Sequence, residues 1–439
     1  MSQNLEYILP PGEVELYVKT LEPTSIEELG TMRWFEKHDR LQKLHQQTIF
    51  ETGSLREESV KEAFVSLAKI PVLVQEAVCV SVWREKVFPA LLEVNPLPKN
   101  TFMPYMVLYH EVTAVAQLET VLFHQDSCEA LDDSCIDLID YCAVSIISLA
   151  SLTDYSLDTT TVTSRSTIEE LQYQQKELAF DIAIRSITIL SYIAQALDRL
   201  PLPATTRIYN THDVPMMFKN LLDSMPWIRH DAKGHTLKYL EGKWKLLEGE
   251  AKMKLSRTEA QIWLCLRHLL LDPKCLTYYE FNDYRKTQLT KLQGRLHDIV
   301  MDQVSPLVEL KQWLSTLSIS TMPSSAKPPI IIEMVPQIRQ NILRQNKGKW
   351  TKIIKQQMDT FFNKEDQMIE VANRLKATFD LDTLEALAPD ARSCVVCGDP
   401  APKRCSRCKT YWFCGRECQV KNWTTHKPIC DKIVNAEAI

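Results

Sequence analysis

Glycine is scarce, at 10 residues in a chain of 439. Sandwiches, barrels and dinucleotide-binding folds need many glycine turns, so this scarcity favours helices joined by short loops. A secretory leader is not expected either. Met1 to Gly12 hold Glu6 and the Pro10–Pro11 pair, without the basic start and apolar run of a signal peptide. A secreted, disulfide-framed protein is thereby disfavoured, and a reducing compartment is expected. No uninterrupted membrane span stands out. The stretch read as most apolar, Leu178 to Leu200, is broken by Asp181, Arg185 and Asp198, which suits a buried helix. Excess positive charge is also missing. A net charge of -5 and a pI of about 6.1 argue against a whole-chain nucleic-acid binder.

Catalytic signatures are lacking as well. His110–Glu111 has no second His four residues on, so it is not a zinc-protease helix, and His110 and His124 read as ordinary helix residues. Gly348–Lys349 is followed by Trp350 and lacks the hydroxyl of a phosphate loop. No G-x-S-x-G nucleophile turn occurs. An enzyme is not expected.

What is present is helical periodicity. Hydrophobic residues make up 45% of the chain and charged residues 24%, an ordinary globular balance. Val60, Phe64 and Leu67 recur at helical spacing, as do Leu289, Leu292, Leu296 and Ile299. Ser25 with Glu28, Thr167 with Glu170 and Ser256 with Glu259 read as capping boxes, the last opening a helix stopped by Asp272–Pro273. The expected architecture is all-α: a large irregular body, superhelical or bundle-like, followed by a small C-terminal metal module. Its parts are an N-terminal helical region (1–150), a Ser/Thr-rich loop (151–166), a central helical region (167–317), a Pro/Ser linker (318–332), C-terminal helices (333–388) and the module (394–430). A run of basic residues at Lys347, Lys349, Lys352 and Lys355 reads as a solvated helix face, with contact to an acidic partner as the alternative.

Thirteen cysteines is a high count, and seven of them fall between Cys394 and Cys430. The other six, Cys79, Cys128, Cys135, Cys142, Cys265 and Cys275, sit in apolar stretches, where Cys behaves as a small hydrophobe. The C-terminal set is Cys394, Cys397, Cys405, Cys408, Cys414, Cys418, His426 and Cys430, spaced C-x2-C-x7-C-x2-C-x5-C-x3-C-x7-H-x3-C. Thiolate and imidazole suit zinc, which takes four tetrahedral ligands. Each C-x2-C turn delivers two sulfurs to one ion, while C-x3-C and H-x3-C set two ligands one helical turn apart. Eight ligands make two closed sites, so the metal is structural. The His and the even pairing favour zinc over an iron–sulfur cluster. So short a segment cannot fold on apolar burial alone, and ligation supplies on the order of 10 kcal/mol per site. Spacing alone leaves open whether the ligands pair sequentially or interleave.

The spacing and the string CSRC...YWFC..ECQ..NW..H...C resemble the MYND family of zinc modules. That resemblance implies interleaved sites, one from Cys394, Cys397, Cys414 and Cys418, the other from Cys405, Cys408, His426 and Cys430. It also implies a shallow groove for a proline-containing peptide, with Gln419 and Trp423 at the matching positions. Those two are four residues apart and so share a helix face. The alternative for Trp423 is a place in the module's small core, and Trp412 reads equally as core or surface. Residues 390–439 carry nine Lys or Arg against five Asp or Glu. Seven thiolates and two zinc ions would reduce that +4 to about +1, too little for DNA binding.

Outside the module, KIPVLVQE, NTFMPYMVLYHE, LETVLFH and NKGKW resemble a family of MYND-finger proteins that assemble axonemal dynein arms. The resemblance covers at least residues 60 to 430. It implies a non-enzymatic cytoplasmic adaptor or co-chaperone for motile cilia. Its implied partners are dynein chains, chaperones and a leucine-rich-repeat assembly factor, with enrichment at centriolar satellites or the ciliary base, and neither nucleic acid nor membrane. Two alternatives from other classes are a nuclear corepressor adaptor and, more remotely, a SET-type lysine methyltransferase. The Asn-His pair of the SET signature is missing from the chain, and the module is terminal instead of inserted.

Overall fold

The computed structural model describes residues 7–53, 57–95, 98, 101–152, 166–230, 234–319, 334–362, 370–371, 394–397, 399, 401, 403–408 and 411–436. Most of the expected loop at 151–166 and of the linker at 318–332 lies outside these residues. So does much of 333–388. The chain divides into two compact units, one spanning Tyr7–Val371 and one containing the C-terminal module.

The first unit is helical. Its helices are α1 Pro11–Lys19, α2 Met32–Gly53, α3 Ser59–Ser66, α4 Ile70–Lys86, α5 Phe88–Val94, α6 Phe102–Val121, α7 Gln125–Glu129, α8 Ser134–Leu152 and α9 Thr167–Gln195. There follow α10 Leu202–Thr206, α11 Val214–Ser224, α12 Arg257–Leu271, α13 Cys275–Tyr278, α14 Asp283–Thr290, α15 Asp298–Gln303, α16 Leu307–Ile319, α17 Ile338–Gln345 and α18 Trp350–Phe362. Packing is serial: α2 and α4 on α6, α6 on α9, α9 on α8 and α12, and α12 on α16. The middle helices bury more than one face. On α6 apolar side chains face every direction, and 15 of its 20 residues are buried, as a helix with neighbours on all sides requires.

α17 and α18 return to the start of the chain. The Asp137 carboxylate accepts from the backbone N–H groups of Gln337 (3.2 Å) and Ile338 (2.8 Å), at the start of α17. On α18, Gln357 accepts from Trp83 Nε1 (2.8 Å) and donates to the Ile26 carbonyl (2.8 Å). Phe361 closes over Gly30, whose φ is +84°. A Cβ there would lie 1.8 Å from the Phe361 ring, so glycine is required both by conformation and by space.

A polar thread runs through this half. Glu76 accepts from the Thr24 backbone N–H (2.6 Å) and from His110 Nε2 (2.9 Å), and His110 Nδ1 faces His38 Nδ1 at 2.9 Å. Of the two facing Nδ1 atoms, one donates and the other accepts. Glu111 accepts from Arg84 (3.1 Å) and Tyr141 (2.9 Å). His110 and Glu111 are thus buried connectors, and His124 precedes α7 and contacts Glu58 at 2.8 Å.

Several expectations need correction. Ser25 precedes a single 3-10 turn, Ile26–Glu28, and makes no side-chain cap. Glu28 turns to Arg33 and Lys37 instead. The box read at Thr167 and Glu170 is formed one residue earlier, by Ser166 and Glu169. Ser256 with Glu259 caps α12 as read, and Asp272 ends it. The stripe from Leu289 to Ile299 is not one helix. A 3-10 segment, Lys291–Arg295, separates α14 from α15, which leaves Ile299 exposed and buries Val300 in its place. Leu178–Leu200 does lie mostly in buried α9, with Asp181 bonded to Arg185. The single described helix long and apolar enough to cross a membrane is α8, and most of it is buried in the body.

The body also contains a small antiparallel sheet that periodicity reading passed over: β1 Ile228–His230, β2 Thr236–Leu240 and β3 Lys243–Leu246. Glu241 and Gly242, at φ +53° and +76°, form the two-residue turn between β2 and β3. Tyr239 and Trp244 pair across the strands and pack on Phe180 of α9.

The six body cysteines are buried. Burial pushes the thiols of Cys128, Cys135, Cys142, Cys265 and Cys275 up to about 12, so they are protonated hydrophobes.

Candidate metal centre

The C-terminal unit is built from two turns, a ribbon and a helix. The first turn carries Cys394 and Cys397 and is closed by the Cys394 N–H donating to the Asp399 carbonyl at 2.7 Å. The second carries Cys405 and Cys408, with the Cys405 N–H donating to the Tyr411 carbonyl at 2.8 Å. Strands β4 Lys403–Arg404 and β5 Trp412–Phe413 pair antiparallel beside it. Helix α19, Arg416–Ala436, follows. It presents Cys418 near its start and His426 and Cys430 one turn apart further on.

This arrangement sorts the eight ligands into two sets of four. Cys394, Cys397, Cys414 and Cys418 form one, and Cys405, Cys408, His426 and Cys430 the other, each with ligand atoms within 4.8 Å of one another. The pairing is interleaved, which decides the alternative that spacing left open. These are the two four-ligand groups among the described residues.

The separations test the fit to zinc. A tetrahedral ion with Zn–S of about 2.3 Å holds its sulfurs about 3.8 Å apart. Here the Sγ atoms of Cys397 and Cys414 are 3.4 Å apart, Cys414 and Cys418 3.5 Å, and Cys418 and Cys397 3.8 Å. In the second set Cys405 and Cys430 are 4.0 Å apart, and Cys408 Sγ lies 3.5 Å from His426 Nε2. All are far longer than a disulfide, about 2.05 Å. Burial lowers the pKa of His426 and so favours the neutral ring a ligand must be. Two zinc ions therefore fit, each in a closed set of four donors with no position left for water or substrate. When bound, zinc supplies cross-links between the turns, the ribbon and α19.

The two sites differ in exposure. All four ligands of the second set are buried, whereas in the first Cys397 is exposed and Cys414 and Cys418 are half-buried. Aromatic rings account for the contrast. Tyr411 lies against His426 with ring centroids 4.3 Å apart, and Phe413 meets it edge-on at 5.9 Å. Tyr411 and Phe413 were not singled out from sequence, although both sit in the YWFC string before Cys414.

Gln419 is half-buried on α19, one turn before Trp423. Trp423 is 36% exposed and its ring edge meets His426 at 5.8 Å. It therefore takes part of both roles considered for it, one side against the metal ligand and one side open. Val420, beside it, is 66% exposed. Trp412 is half-buried, packs on the module core and lies under the Arg404 guanidinium at 6.0 Å.

A helical body with a closed, interleaved two-zinc finger defines a class, that of protein-interaction adaptors. The MYND finger family matches residues 394–430. Along its length the chain is similar to the zinc finger MYND domain-containing protein 10 homolog of Drosophila melanogaster. Identity is 36% over 448 residues, covering 96% of this chain and 98% of that protein. The chain belongs to the zinc finger MYND domain-containing protein 10 family. No solved structure matches it.

Proposed function

We propose that the chain is a non-enzymatic adaptor for the cytoplasmic preassembly of axonemal dynein arms in motile cilia. In this reading the body engages dynein chains, chaperones or a leucine-rich-repeat assembly factor, and the zinc module holds a proline-containing peptide of a second partner. Two sites on one chain raise the effective concentration of each ligand for the other. The observation that carries the peptide-binding part is the exposed side of Trp423, with Gln419 one turn away on a helix fixed by metal ligands. An indole with a neighbouring amide can cover an apolar side chain and bond the peptide backbone. The family resemblance supports the dynein-arm assignment and the cytoplasmic location, with enrichment at centriolar satellites or the ciliary base.

Affinity purification from ciliating cells, read by mass spectrometry, tests it for wild type and Trp423→Ala. Dynein chains and chaperones in the wild-type eluate, with at least one partner lost on substitution, are expected. An eluate of chromatin proteins, or an exclusively nuclear signal from the tagged chain, overturns the reading in favour of a corepressor.

A further inference from the structure

Residues 334–358 contain six cations, Arg339, Arg344, Lys347, Lys349, Lys352 and Lys355, and no acid, in a chain whose net charge is -5. Arg339 is paired with Glu85. The other five side chains are exposed and have no ion-pair partner among the described residues. Elsewhere in the body, by contrast, Arg185 is paired with both Asp181 and Glu119.

Their placement is ordered. Arg344 lies in the last turn of α17, and Lys347 and Lys349 flank Gly348 in the turn that follows, where φ is +78°. Lys352 and Lys355 lie one turn apart on α18. The buried residues of α18 are Ile353, Gln357 and Phe361. At about 100° per residue, Lys352 and Lys355 fall on the opposite side of the helix from these three. Because Gln357 and Phe361 fasten α18 to the body, Lys352 and Lys355 stand on an anchored helix. Helix stability does not ask for all of them. Arg344 complements a helix C-terminus, but Lys349 and Lys352 flank the start of α18, where a cation opposes the macrodipole and no acid in the first turn offsets it.

We propose that this ridge is a docking surface for an acidic, extended polypeptide segment of a partner protein. Four of the five free cations are lysines, compact point charges on flexible stems that can each pair with a carboxylate. Trp350, the aromatic residue within the run, is half-buried, and no exposed aromatic ring accompanies the charges as a stacking platform for nucleic-acid bases. No large apolar side chain between Arg344 and Lys355 is exposed, so nothing is present to enter a lipid surface beside the charges. An extended strand repeats its side chains on one face about every 7 Å, and residues one helical turn apart lie about 5–6 Å apart. Alternate carboxylates can therefore meet successive lysines. This surface is built from residues of the body alone and does not depend on whether the zinc module binds a peptide.

The test uses the full-length, zinc-loaded protein and a short labelled peptide of alternating Glu and Ser, at low salt. Binding is expected to weaken at least about tenfold in K349E/K352E/K355E and to be kept within about twofold in K349R/K352R/K355R. It should also be kept in K243E/K245E, which reverses exposed lysines of β3. All variants should melt as the wild type does. If the triple reversal lowers the melting temperature, K352Q/K355Q replaces it, with a loss of at least about threefold expected. Unchanged peptide binding in the reversed or neutralised protein overturns the proposal. So does tighter binding, through the same lysines, of single-stranded RNA of equal charge or of phosphatidylserine vesicles.

Discussion

Residues 7–371 bury Trp34, Trp83, Trp227, Phe35, Phe64, Phe180, Phe218 and Phe361 almost completely. Among the described residues of the zinc module, only Ala401 and Phe413 are buried besides five of the ligands. The body draws its stability from many side chains, each contributing about 1.5–3 kcal/mol on full burial. The module draws it from eight atoms, so losing one ligand removes a large share of what holds it together. Stability is therefore spread out in one region and concentrated in the other.

Metal removal sets the two furthest apart. A strong chelator is expected to unfold the module, at a cost on the order of 10 kcal/mol per site, and to leave the body's helical circular dichroism in place. Zinc content should start at two equivalents. The exposed first set should release its ion before the buried second set, which a stepwise zinc-indicator trace would resolve. Simultaneous melting of both regions would end the comparison.

The converse perturbation is Gly30→Ala, which places a Cβ against Phe361 at a positive φ. It should destabilise the body by about 3 kcal/mol, read as a lower denaturant midpoint, with zinc content unchanged. Gln357→Leu leaves the Trp83 indole N–H and the Ile26 carbonyl unpaired in the core and should cost about 2 kcal/mol.

Mild acid sharpens the contrast further. Burial and the neighbouring His110 hold the pKa of His38 well below the ordinary value, and burial lowers that of His45 to about 4. Both rings are neutral in the fold and take up protons on unfolding. Their contribution to stability is complete above the unfolded value of about 6.5 and is lost as pH falls below it, for His45 down to about 4. The slope is up to about 1.4 kcal/mol per pH unit for each group. Thermal melts of the body at pH 7.0 and 5.5 should differ in that sense, and His38→Gln should reduce the difference. The smallest effect is expected of Trp423→Ala. It should leave both zinc equivalents bound, change stability by no more than about 1 kcal/mol, and weaken capture of a proline-containing peptide.

Local chemistry was legible wherever one stretch of chain decides the outcome. Ser256 with Glu259, the stop at Asp272 and the burial of the six body cysteines could be read directly. So could the hairpin at Glu241–Gly242, whose alternation in TLKYL and KWKL signals strands, but the helical background around it dominated the reading. Ser25 and Thr167 misled because a hydroxyl with an acid three residues on is necessary for a capping box but not sufficient. Glu28 found cations elsewhere, and the chain began its turn at Ser166 before Thr167. The break inside Leu289–Ile299 was hidden because a 3-10 turn keeps apolar residues at nearly helical spacing while rotating the face they form.

By itself the sequence determined a mostly helical chain and the identity and number of the metal ligands, since ligand chemistry and apolar period are properties of the residues. Only the tertiary structure decided which ligands share an ion, that α17 and α18 fold back onto the first helices, and that Glu76, His110 and His38 join. Each of these depends on groups far apart in the chain. Periodicity says which face of an element must be covered but not what covers it.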